Sequence, residues 1–394
     1  MKNNLKSIAW TLGALAVLTT GCRQKAAVEV EIEGLQDGPV YVHYAPVTDL
    51  SAVVDDTLQA EDGKFSFSPA IGEVPLEIRI EPAADLRVDR RGRLSVPMSH
   101  RIRFWMQPNE QVRLRGSYED GCLNYMLRGT KDLEAQAALR GSVKGVLREY
   151  SLMARAVDSL YGLGIDNIDE AYVDSLYAEL SARMETVHAA EQQFVRTHAG
   201  HVLSGLYLLE QQSADAFLEL EQGLQAGVRD GLLKERIAEA KAYFECRKQL
   251  EANAAALVQD AVAPDFTLTD IHGKPVRLSD YAKRYVVLDF WGTWCPWCIK
   301  GMPEMKRYYE KYGRKVTFIG IACRDRLDKV QDLVKKEKLP WLSVMNGEGD
   351  NDVSFRYGVS GYPTKVILKP GLKVEKVVLG EDPVFYETLD ALMK

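Results

Sequence analysis

Cys295 and Cys298 stand two residues apart where a buried-strand pattern gives way to a helical one. Val286 to Trp291 is an apolar run broken only by Asp289, the mark of a central strand covered on both faces. A helical pattern follows from Cys295 to about Tyr312. Unpaired backbone N–H groups and the macrodipole at a helix start favour a thiolate, and the thiolate is the attacking species in disulfide exchange. That assigns attack to Cys295. Cys298, one turn inside the helix and more shielded, is suited to resolve the mixed disulfide. A zinc site uses the same spacing but needs two further Cys or His at sensible separation, and none stands near.

The surrounding pattern alternates strand and helix from Asp260 on. Phe266–Leu268 and Pro275–Leu278 flank the His272-Gly273 turn as a hairpin. Val316–Ala322 reads as a second buried strand, and Leu327–Lys338 as a helix. Thr364–Leu368 and Val374–Leu379 read as two strands, and Pro383–Met393 as a closing helix. Asp289 stands out in its apolar strand. Burial penalises the charged carboxylate, so its affinity for a proton should rise. That suits a group passing protons to and from Cys298; the plainer alternative is a strand-end Asp reaching solvent. Cys323 follows a strand that ends at the same edge as the Cys pair. Core filler is the preferred reading, with approach to the redox pair as the alternative.

At 394 residues the chain is long for one core, and two or three domains are expected. Residues 28–129 carry short period-two runs, Val28–Ile32, Val40–Tyr44, Lys64–Phe67, Leu76–Ile80 and Val112–Arg115, with an Asp62-Gly63 hairpin signal. They predict an antiparallel β sandwich. Residues 130–257 are rich in Ala, Leu, Glu, Gln and Arg, with Leu176, Leu180, Met184, Val187 and Phe194 at helical spacing. This middle region is expected to be helical. Residues 258–394 form the α/β domain with the Cys pair. The middle region holds His188, His198 and His201, but no carboxylates or Cys converge on them in sequence, so no metal is expected. Cys122 and Cys246 are expected as buried, inert small hydrophobes, with pairing as the alternative. A net charge of -6 gives no sign of the basic face that nucleic acid requires. No cofactor is implied.

The N-terminus reads as a targeting segment. Lys2 and Lys6 precede an apolar stretch, Ile8–Leu18, too short for a comfortable span. Thr19-Thr20-Gly21-Cys22 resembles the bacterial lipobox. The resemblance implies a lipoprotein signal peptide over 1–21, lipid on Cys22 and a tether over 22–27. Arg23 favours an outer-membrane anchor facing the periplasm. Export would place the thiols where disulfides persist. Of six Cys, five remain after Cys22, so at least one is free or one disulfide is transient.

Asp289-Phe290-Trp291-Gly292-Thr293-Trp294-Cys295 resembles the active-site approach of thioredoxins, and Pro303 matches the proline they carry within the following helix. Gly361-Tyr362-Pro363-Thr364 resembles their cis-proline loop. Ala263-Pro264-Asp265-Phe266-Thr267-Leu268 with Gly273-Lys274 resembles the TlpA/ResA branch. Gly34-Leu35 through Val40-Tyr41, with Asp62-Gly63-Lys64-Phe65-Ser66-Phe67, resembles the β domain ahead of such domains in Bacteroidetes envelope proteins. The resemblance implies a thioredoxin-like domain exchanging two electrons with protein thiols and disulfides, most simply as a reductant. Cys295, Cys298 and Asp289 would carry the chemistry. Trp294, Pro296, Trp297, Tyr362 and Pro363 would border the substrate. A membrane or periplasmic electron donor is implied, and the N-terminal and helical parts would set partner choice or homodimerisation. Two positions depart from the branch. Gly301 replaces a Glu frequent three residues after the second Cys, and Asp289 replaces an Asn, so cytochrome-maturation specificity is not carried over. Two rivals remain. The Ala-Pro-Asp-Phe leader is shared with peroxiredoxins, which would make the chain a thiol peroxidase. A partner-binding lipoprotein is the third reading.

Overall fold

The computed structural model describes residues 27–70, 72–88, 94–96, 100–119, 122–162 and 170–394. The expected signal segment and Cys22 lie outside the described residues. The chain divides into two compact units. One takes the described residues up to Tyr207 together with Leu224–Leu233; the other takes Leu208–Gly223 and Lys234–Lys394. Among the described residues no helix is long and apolar enough to cross a membrane.

The first unit opens with strands β1 (Val28–Glu33), β2 (Gly38–Pro46), β3 (Val54–Ala60), β4 (Lys64–Phe67) and β5 (Leu76–Pro82). It continues with β6 (Arg87–Val88), β7 (Leu94–Ser95), β8 (Ile102–Met106), β9 (Val112–Glu119) and β10 (Cys122–Arg128). Two four-stranded sheets form, in the orders β10-β9-β1-β4 and β3-β2-β5-β8, beside a β6–β7 ribbon. Period-two burial sends Val28, Val30 and Ile32 from one sheet and Val40, Val42, Ile78 and Ile80 from the other into one shared core. The Asp62-Gly63 turn leads into β4. A side chain on Gly63 would meet the Ile32 carbonyl at 2.2 Å, and φ there is +70°, so glycine is required.

The expectation of purely antiparallel strands needs one correction. β1 and β9 pair in parallel, Val28 opposite Val112 through Glu33 opposite Ser117. The other ladders of these two sheets are antiparallel. The reason is connectivity. A hairpin forces reversal, whereas the chain reaches β9 only after passing through the second sheet.

Seven helices follow among the described residues: α1 (Lys131–Ser142), α2 (Lys144–Gly162), α3 (Glu170–Thr197), α4 (Val202–Leu209), α5 (Ala214–Gly223), α6 (Ala226–Arg229) and α7 (Lys234–Ala256). Of these, α5 and α7 belong to the C-terminal unit. There Phe217 packs on Phe244 with ring centroids 4.6 Å apart. The three histidines are separately engaged: His188 with Glu191, His198 stacked on Phe194, and His201 with Asp132. Cys246 corrects another expectation, since it is exposed and unpaired. On α7, Ile237 and Phe244 are buried. Position 246 lies two residues, about 200°, around the helix from Phe244, on the opposite face.

The α/β part of the second unit comprises β11 (Thr267–Asp270), β12 (Pro275–Arg277), β13 (Tyr285–Trp291), α8 (Pro296–Tyr312), β14 (Val316–Ala322), α9 (Leu327–Glu337), β15 (Leu342–Met345), α10 (Val353–Arg356), β16 (Thr364–Lys369), β17 (Lys373–Leu379) and α11 (Pro383–Met393). One seven-stranded sheet runs β12-β11-β15-β14-β13-β16-β17. β13 is parallel to β14 and antiparallel to β16. Its alternate residues serve opposite cores. Val286, Leu288 and Phe290 join one, and Val287 and Trp291 join the other with Met302 and Met305 of α8. The sheet is therefore covered on both faces, as the apolar run predicts.

Candidate active site

β13 delivers the chain to the site. Past Trp291, residues Gly292, Thr293 and Trp294 turn into α8, and Cys295 is the cap of that helix with Pro296 in its first turn. Proline fits there because the helix start leaves its missing N–H unneeded. The Cys298 backbone N–H donates to Cys295 Sγ at 3.1 Å. The two sulfurs are joined as a disulfide, with Cα atoms 5.3 Å apart.

Exposure does not separate the two sulfurs in the way expected. Cys295 is 3% exposed and Cys298 is 5% exposed. The disulfide holds both beneath the rim, and the flanking tryptophans take the surface: Trp294 is 47% exposed and Trp297 is 61% exposed. The distinction that remains is position at the helix cap, where Cys295 alone receives a backbone N–H.

The rim is held by specific contacts. The Trp294 indole N–H donates to the Cys323 carbonyl at 3.0 Å. Its ring meets Tyr362 edge-on, centroids 5.2 Å apart. The Thr293 N–H and hydroxyl both donate to Asp325, at 2.6 and 2.9 Å. The Lys300 ammonium lies 4.8 Å from the Trp297 ring centroid. The Tyr362–Pro363 peptide is cis, and Pro363 is buried. Its carbonyl accepts from Gly380 N–H at 2.7 Å, while the Thr364 hydroxyl donates to Gly361 O at 2.7 Å. The structure thus brings together Cys295, Cys298, Trp294 and the Tyr362 loop, with Pro296 and Trp297 exposed on the first turn of α8.

Asp289 sits inside β13, on the face it shares with Val287 and Trp291; its side chain is 16% exposed, while its Oδ1 is closed off from solvent. Burial pushes its carboxyl above the usual carboxylate range, opposed by the charge of Lys365. Lys365 is directly opposite in the β13–β16 ladder. Its ammonium is 3.7 Å from Asp289 Oδ1 and 2.5 Å from Glu381 Oε1. Lys365 is 2% exposed. Burial pushes the Glu381 carboxyl up as well, again opposed by Lys365. The Glu381 carboxylate occupies the space beside Gly301: a Cβ there would stand 2.1 to 2.4 Å from its carboxyl atoms. Sequence reasoning missed Lys365 and Glu381. The available signals were a lysine in an otherwise apolar strand and a glycine in mid-helix.

Cys323 follows β14 and is fully buried. Burial pushes its thiol up to about 12, leaving it protonated and unreactive at neutral pH. Its Sγ donates to the Ile321 carbonyl at 3.4 Å. Among the described residues there is no group of three or more His, Cys, Asp or Glu placed to hold a metal ion.

Residues 260–377 match the AhpC/TSA family model. The chain is 36% identical over 120 residues to the thiol-disulfide oxidoreductase ResA of Bacillus thuringiensis subsp. konkukian, a match that covers 30% of this chain and 68% of that protein. It is also 36% identical over 140 residues to ResA of Bacillus cereus, covering 35% of this chain and 76% of the relative. Among solved structures, the thioredoxin domain of a thiol-disulfide oxidoreductase from Bacteroides vulgatus is similar at 27% identity and a TM-score of 0.33, covering 35% of this chain and 99% of that one.

Proposed function

The chain belongs to the ResA family of thiol-disulfide oxidoreductases through a C-terminal thioredoxin-like domain, and from that premise we propose that it reduces disulfides of other proteins through Cys295 and Cys298. The observation that carries this reading is the Cys pair itself, bonded at the cap of α8 beside the Tyr362–Pro363 loop. In the reduced protein the Cys295 thiolate attacks a substrate sulfur. A Cys295–substrate bond forms and the first substrate thiolate leaves. Cys298 then gives its proton to Asp289 and attacks Cys295, closing the protein disulfide and releasing the second substrate thiolate. Two electrons pass to the substrate. A thiol donor in the same compartment must return them. Trp294, Pro296, Trp297, Tyr362 and Pro363 would border the substrate, and the Tyr362 backbone beside Pro363 would pair with an extended peptide.

We place this activity in the bacterial cell envelope, with the chain held by lipid on Cys22 and facing the periplasm from the outer membrane. The support is the charged, apolar and small-residue progression that ends at Cys22. Residues 28–129, read as a β sandwich, and the helices over 130–257 would choose partners or a second copy of the chain and contribute no catalytic group.

Insulin reduction with a dithiol donor tests the activity. A chain that consumes peroxide with no protein disulfide present, and leaves insulin intact, belongs to the rival peroxidase reading. One observation speaks against that rival: the Thr293 hydroxyl is bonded to Asp325 rather than to a cysteine sulfur.

A further inference from the structure

Three ionisable groups from three parts of the chain meet under α8. Asp289 comes from β13, Lys365 from β16, and Glu381 from the turn after β17. Lys365 stands between the acids but not midway. Its Nζ is at salt-bridge hydrogen-bond length from Glu381, 2.5 Å, and beyond that length from Asp289, 3.7 Å. Asp289 Oδ1 is buried with no hydrogen-bond partner. One buried ammonium can neutralise one largely buried carboxylate, and a second negative charge in the same largely enclosed space is disfavoured. The geometry commits the cation to Glu381 and leaves Asp289 as the acid that carries the proton.

Glu381 reaches this place because α8 has no side chain at position 301. Any Cβ there would collide with the Glu381 carboxyl group. Glycine in a helix interior costs about 0.5–1 kcal/mol relative to alanine, so the gap is not a neutral choice for the helix.

The other groups facing Asp289 add no second cation. On α8 the buried residues that share the core of this sheet face include Cys298, Met302 and Met305, and Glu304 is bonded to Arg307. β14 presents Gly320 opposite Asp289. α11 brings the Tyr386 hydroxyl, which donates to Glu381 at 3.4 Å. Cys323 lies within electrostatic reach and stays protonated.

We propose that Glu381 is a positioning residue: it holds the Lys365 ammonium away from Asp289, so that Asp289 can take the Cys298 proton when the disulfide closes and return it when the disulfide opens. This rests on the reading of Asp289 as the proton acceptor for Cys298. When Cys298 attacks Cys295, its S–H bond breaks, the proton passes to the Asp289 carboxylate, and the electron pair leaves with the substrate thiolate. A Lys365 free to pair with Asp289 would keep that carboxylate charged and make it a poorer proton carrier.

The test is a single-turnover reaction of the full reduced chain with a chromogenic aromatic disulfide across pH 5 to 10, for the unaltered protein and for Asp289→Asn, Glu381→Gln and Lys365→Met. The inflection that Asp289→Asn removes is the one to follow. In Glu381→Gln it moves to lower pH by about one unit or more, because Lys365 now turns to Asp289. In Lys365→Met it moves to higher pH. An inflection unmoved in Glu381→Gln, or moved in the same direction by both variants as general loosening would do, overturns the inference. An inflection that survives Asp289→Asn overturns the Asp289 reading itself.

Discussion

Asp289 and Lys365 face one another across the β13–β16 ladder, yet the lysine makes its closer ion pair elsewhere, with Glu381. Asp289 is thereby a buried acid with only distant compensation, and its carboxyl is raised by burial. A raised carboxyl stabilises the fold in its protonated form. That contribution is complete at pH below the ordinary carboxylate range and is lost as pH rises through the folded-state value. Asp289→Asn should therefore be more stable than the unaltered protein at pH 8, by about 1 kcal/mol or more, with the gap closing towards pH 4. Its insulin turnover should fall about a hundredfold. Urea midpoints at the two pH values check the first claim, and equal midpoints at pH 8 would contradict it.

Under the proposed mechanism, position in the helix would give the two sulfurs different roles, although both are nearly closed off in the disulfide. Cys298→Ser should attack once and stall as a mixed disulfide with its substrate. Cys295→Ser should form no adduct. Non-reducing gels of envelope extracts decide this; adducts on Cys295→Ser alone would reverse the roles.

The Cys323 thiol, pushed up to about 12 by burial, should be about one part in ten thousand ionised at pH 8. In the oxidised native chain, iodoacetamide should label exposed Cys246 within minutes and leave Cys323 unlabelled for hours. Peptide mass spectrometry reads both sites in one sample. Comparable rates would show that Cys323 is open to the active-site edge.

Helix α7 belongs to the redox unit. The Asn253 side-chain amide donates to the Phe355 carbonyl at 2.9 Å. Gly358 leaves room for Ala254, whose Cα a Cβ would approach to 2.4 Å. A fragment spanning Leu208–Lys394 should reduce insulin at the rate of the full chain. A fragment beginning at Asp260 should keep the chemistry and lose about 1–3 kcal/mol of stability. A Leu208–Lys394 fragment that is folded but inactive would place a catalytic group upstream.

Cys22→Ala should release the protein from membranes during cell fractionation, since stable anchoring takes two acyl chains or an equivalent second signal. Recovery of the unaltered protein in the soluble fraction would refute lipidation.

Local pattern made the redox centre legible. β13, α8 and the Cys pair follow one another directly, and apolar run, helix signal and spacing lie within about thirty residues. The Tyr362–Pro363 loop was readable for the same reason. What escaped was set by register between distant segments. Nothing near Lys365 says that it will face Asp289; the β13–β16 pairing decides that. Glu381 lies in a turn and gains its role only from an empty position on α8. β15 was missed because its four residues are too few to show a period. The parallel β1–β9 pairing depends on the path between them, which short-range alternation does not encode.

Gly301 and Glu381 also constrain the order in which this site can change. A side chain at 301 would have to push the carboxyl end of Glu381 aside, and with it the ion pair to Lys365, so a first change at the helix position disturbs that pair. Shortening residue 381 opens the gap and leaves Asp289 as the acid for Lys365. A lineage moving a carboxylate from the turn to the helix would therefore pass through a state in which Lys365 pairs with Asp289 and Asp289 is the poorer proton carrier. That intermediate is a fitness valley, and drift should tend to keep a chain on the side of it where it began.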